Sequence, residues 1–157
     1  MASSVKEVGL AAIRTDLLGI NAITPYNFKV EIVSRDVAPP ERLKVISGDV
    51  AAIAMLDGIE TKHRQVSNRV IVWRVPVTLL CYIKRNPDES GSATLNKLRS
   101  DVFIALYSSS KWNHSGNVIL TDPLSFDPLA VAGVDLLCLI VDFYFLCSHT
   151  WDDPTTT

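Results

Sequence analysis

Histidine, cysteine and glycine are all scarce in this sequence, and each shortage closes off a class of chemistry. The three histidines, His63, His114 and His149, stand alone. A hydrolase needs a nucleophile on a strained turn and a base to activate it, and there is no Gly-x-Ser-x-Gly here, so no catalytic residue is expected and the chain reads as a non-enzyme. The three cysteines, Cys81, Cys138 and Cys147, are odd in number and lie in apolar, strand-like runs. Such thiols behave as small hydrophobes, so they are expected to be reduced and unpaired. Cys147, His149, Asp152 and Asp153 group residue types that suit zinc, yet no second cysteine or histidine pair has structural-site spacing, and no metal is expected. The seven glycines never cluster ahead of a helix. Ser90-Gly91-Ser92 has one glycine and no lysine where a phosphate loop needs it, so it reads as a turn with a cap, and no cofactor is expected.

A basic surplus is missing too. Fifteen Lys and Arg stand against seventeen Asp and Glu, a formal charge of −2, which argues against holding nucleic acid by neutralising its phosphates. The most apolar run, Val134 to Cys147, carries Asp135 and Asp142 and falls short of the ~20 residues a membrane helix needs. The opening MASSVKEVGL lacks the charged start and apolar core of a signal peptide, so synthesis in a reducing cytoplasm is the expectation. What is abundant is apolar surface: 48% hydrophobic residues and a mean hydropathy of +0.22, more than a soluble monomer of this size requires. Such an excess is expected to meet a partner.

The clearest element is Arg69 to Lys84, RVIVWRVPVTLLCYIK. Its odd positions from Ile71 to Ile83 are all apolar, while its even positions mix in Arg74, Thr78, Tyr82 and Lys84, so it predicts a long strand with one buried face. Pro76 cannot donate to a ladder, and so predicts either a sheet edge or a bend there. Ser4 and Glu7 have capping-box spacing ahead of Leu10, Ile13, Leu17 and Ile20, predicting an amphipathic helix. Leu95, Leu98, Val102 and Leu106 predict a second one.

Asn27 to Val33 predicts a short strand and Val134 to Cys147 the last one, with a polar tail at residues 151–157 after a single domain over residues 1–150. Val50 to Leu56 fits helix or strand, Lys44 to Ile46 suits a short strand, and Val118 to Leu120 another. Asp122 to Ala132 reads as a proline-punctuated connection. Strands grouped around a single interior helix favour an α+β fold, a mainly antiparallel sheet with both helices packed on one face.

Asp57-Gly58 is a turn, and Ile59 to Asn68 leads into the long strand as a hairpin arm or an extended loop. Lys62, His63 and Arg64, followed by Arg69 and Arg74, form the one basic cluster. It reads either as a solvated arm or as a contact for an acidic partner, and Asp88-Glu89 of a neighbouring copy is the expected counterpart. Trp73 is assigned to the core, while Trp112 and Trp151 sit in polar loops and are candidate contact residues.

The order of elements resembles the tail terminator, or tail completion, proteins of long-tailed bacteriophages. The likeness rests on an N-terminal amphipathic helix, the strand FKVEIV, a long hairpin into RVIVWRVPVTLLCYI, the helix LNKLRSDVFIAL and a closing strand. It implies a structural virion protein forming a homo-oligomeric ring, usually a hexamer, at the head-proximal end of the tail. Such a ring ends tube polymerisation and joins tail to head, with the tail tube protein and a head-completion or neck protein as partners. DNA passes through it without specific binding, and assembly takes place in the host cytoplasm without a membrane. Another neck or connector subunit, or a cytoplasmic ligand-binding α+β domain, would share the same composition.

Overall fold

A computed structural model describes residues 4–35, 49–107, 118–130 and 136–150. In chain order the elements are α1 (Val5–Leu18), β1 (Lys29–Ser34), β2 (Val50–Asp57), β3 (Thr61–Gln65), β4 (Val70–Lys84), α2 (Gly91–Tyr107), β5 (Val118–Ala130) and β6 (Leu136–Thr150). The expected α+β fold is what the chain adopts. One six-stranded sheet has the order β1-β2-β4-β6-β5, with β3 also paired to β4. All pairings are antiparallel except β1 with β2.

The two long strands form the spine. β4 and β6 pair without a break from Val70↔Thr150 to Lys84↔Leu136, each placing its apolar set on the same face because side chains alternate with period two. Val75, Val77, Leu79, Cys81 and Ile83 of β4 and Leu139, Val141, Phe143 and Phe145 of β6 are buried there. Against this face α1 places Leu10, Ile13 and Leu17, and α2 places Leu98, Val102 and Leu106. Ser4 caps α1 by accepting from the Glu7 N–H at 3.2 Å, as the capping-box spacing predicts. Ser90 does the same for Ala93 of α2. A smaller apolar cluster lies on the opposite face, centred on Ala52, Tyr82 and Cys138.

One open alternative is resolved and two stretches differ from their sequence patterns. Val50 to Leu56 is strand, because its alanines sit between β1 and β4 where small side chains suit a buried central position. Asp122 to Ala130 is no connection but the second half of β5, and the pairing skips between Thr121 and Ser125 to absorb Asp122-Pro123-Leu124. Pro76 is neither at a sheet edge nor at a break in β4; it stands opposite Tyr144 in the middle of the sheet. Its carbonyl accepts from the Gly58 N–H at 2.9 Å. The N and C=O of one strand residue point to the same side, so the missing donor faces the gap between β2 and β3 and costs no ladder bond. A Cβ on Gly58 would stand 2.7 Å from Pro76 Cγ, so only glycine allows this approach. Lys44 to Ile46 and the 151–157 tail lie outside the described residues.

Candidate functional site

The segment after Asp57 is a strand, the first arm of a hairpin with β4. β2 pairs with β4 only as far as Asp57↔Val77. Beyond Gly58, β3 takes over the same edge from Thr61↔Arg74 to Gln65↔Ile71. All five residues of β3 are exposed. The chain turns back through Val66 to Arg69, with the Val66 N–H donating to the Val70 carbonyl at 2.9 Å. The result is a basic ribbon at one end of the sheet.

A bulge decides which way its charges point. The register slips between Lys62 and Arg64, so His63 is the extra residue and two residues meet one on the partner strand. Lys62 is opposite Trp73, which packs against the core, and its Nζ donates to Gln65 Oε1 at 3.2 Å on that side. Arg64 is opposite Val72 and shares the far face with Arg74. The Arg74 guanidinium lies 4.2 Å above the Tyr144 ring and reaches His63 Nδ1 at 3.4 Å. Arginine only donates, so in this contact Nδ1 is the accepting nitrogen. Tyr144 holds the arginine in place through its ring face, a contact invisible in sequence because seventy residues separate the pair.

No carboxylate pairs with Lys62, His63, Arg64, Arg69 or Arg74 among the described residues. Several carboxylates elsewhere are engaged within the chain. Asp57 takes Lys6 and Arg35, each at 2.9 Å, Glu60 takes Lys6, Glu7 takes Arg35 and Glu31 takes Lys29. Glu89 accepts from Lys97 and from Thr94 Oγ1, and the Lys97 bond holds its carboxyl below the usual range. Asp88 and Glu89 therefore differ: Glu89 is held by its own chain, and Lys84 and Arg85 stand exposed close by in sequence. The turn lies past the far end of β4, whose Lys84 is ~33 Å from Arg74 at about 3.3 Å per residue. The two candidate patches cannot meet within one chain. Trp112 and Trp151 lie outside the described residues.

Cys81, Cys138 and Cys147 are free and buried. Burial pushes the Cys138 and Cys147 thiols up to about 11, and Cys81 higher still, so thiolate is scarce at neutral pH. Among the described residues no group of three metal-ligating side chains comes together, and no helix is long and apolar enough to cross a membrane. In comparison with known proteins, no family model matches the chain and no curated protein matches it.

Proposed function

We propose that this chain is a structural subunit that closes into a ring and acts as a tail terminator of a long-tailed bacteriophage. The observation that carries the assembly part is the exposed β3–β4 ribbon, whose cations lack own-chain carboxylates among the described residues, whereas Lys6, Lys29, Arg35 and Lys97 have them. The tail role is supported by the resemblance in element order. On this reading the ring caps the head-proximal end of the tail tube, stops its growth and meets a neck protein. A near-neutral subunit lets DNA pass, because a strongly basic channel would retain it.

Negative-stain imaging of the purified full chain, alone and mixed with tail tubes, tests this. Closed rings seated on tube ends, with shorter tubes when the chain is present during polymerisation, are the expected result. Rings that ignore tubes and bind the portal side would replace this reading with that of another neck subunit. A monomer at all concentrations, with no effect on tubes, would overturn it.

A further inference from the structure

We propose that the outer face of the ribbon, formed by His63, Arg64 and Arg74, is the cationic half of a head-to-tail contact with a second copy of this chain. This deepens the ring reading and rests on it. A cyclic ring joins two different patches of identical subunits, so one patch must be unsatisfied in the isolated chain and complementary to something elsewhere on it.

Charge partition meets that condition. Residues 61–74 contain Lys62, Arg64, Arg69 and Arg74 and no acid, which leaves the other residues with eleven Lys and Arg against seventeen Asp and Glu, a formal charge of −6. A neighbour's body is thus the complement of the ribbon in sign. The bulge gathers Arg64 and Arg74 on one face, where an unbroken strand would have put Arg64 on the side of Lys62. Stacking on Tyr144 fixes Arg74 in advance, which lowers the entropy lost when a carboxylate docks on its planar fork.

Apolar exposure decides between a protein and a nucleic acid as the partner. Ile59, at the base of β3, is 87% exposed, and Val66, at its tip, is 59% exposed. A phosphate backbone gives such side chains nothing to bury against, whereas a protein interface combines arginine with apolar contacts. The cations supply orientation and encounter rate, and the two aliphatic groups supply burial.

Light scattering on the full chain tests the assignment, with circular dichroism as the check on folding. Arg64→Glu leaves the Arg74–Tyr144 stack in place and is expected to weaken self-association at least ~10-fold. Raising salt to ~1 M, where exposed charges are screened within about 3 Å, weakens the parent in the same direction. Lys62→Glu, on the other side of the ribbon, has a much smaller effect. An unchanged ring in Arg64→Glu, or equal weakening by Lys62→Glu, overturns the assignment and leaves the ring reading standing. A parent that is monomeric at every concentration removes both. Fluorescence anisotropy with a 30-base-pair duplex completes the test: if Arg64→Glu abolishes duplex binding but not the ring, the face is a phosphate site and the proposal fails.

Discussion

Gly9 of α1 rests directly on the ring of Phe145 in β6: a Cβ at Gly9 would lie 2.6 Å from Phe145 Cε2. Phe145 is completely buried, so the ring has nowhere to go. Alanine would improve helix propensity at this position by up to about 1 kcal/mol, but overpacking a filled core costs about 1–3 kcal/mol. Gly9→Ala is therefore expected to lower the urea midpoint, and Phe145→Leu in the same chain to recover part of the loss. Strict additivity of the two substitutions would show that the helix does not depend on this contact.

Asp101 anchors the loop between α1 and β1 onto α2. It is fully buried and accepts from the Asn27 N–H at 3.0 Å, Asn27 Nδ2 at 2.8 Å and the Phe28 N–H at 2.8 Å. Asp101→Asn turns one acceptor into a donor facing donors, and a buried group so mismatched costs about 2–4 kcal/mol. Denaturant unfolding measures it. A loss below about 1 kcal/mol would mean the loop finds other partners.

Asp57 makes stability depend on acid. Burial alone would raise its carboxyl, but hydrogen bonds from Lys6 and Arg35 outweigh this and hold it below the ordinary 3.8. A carboxyl with a lowered folded pKa contributes stability that is fully present above its unfolded value, and that contribution fades as pH falls through the folded one. Asp57→Asn should thus be less stable than the parent at pH 7, with the gap closing below about pH 4. Urea midpoints between pH 7 and pH 2.5 check this. A gap independent of pH would assign the loss to packing instead.

Period two in β4 and β6 and the three-four spacing of α1 and α2 are local properties, set by which way successive side chains point. The helices, the long strands, their buried faces and the α+β class were therefore legible from residues such as Ile71 to Ile83 and Leu95 to Leu106. The basic cluster was legible as composition. Its form as a site was not, because pairing joins residues far apart in sequence. The bulge at His63 and the Tyr144 ring under Arg74 bring Arg64 and Arg74, ten residues apart in sequence, onto one directed face, and only the register of β4 with β3 and β6 sets either. The same register places Pro76 at a gap where a missing donor costs nothing, draws Asp122 to Ala130 into β5, and separates the ribbon from Asp88 by the part of β4 beyond Arg74. Alternation along a chain states which face a residue takes. Strand order and register, decided by burial of the whole sheet at once, state what it faces.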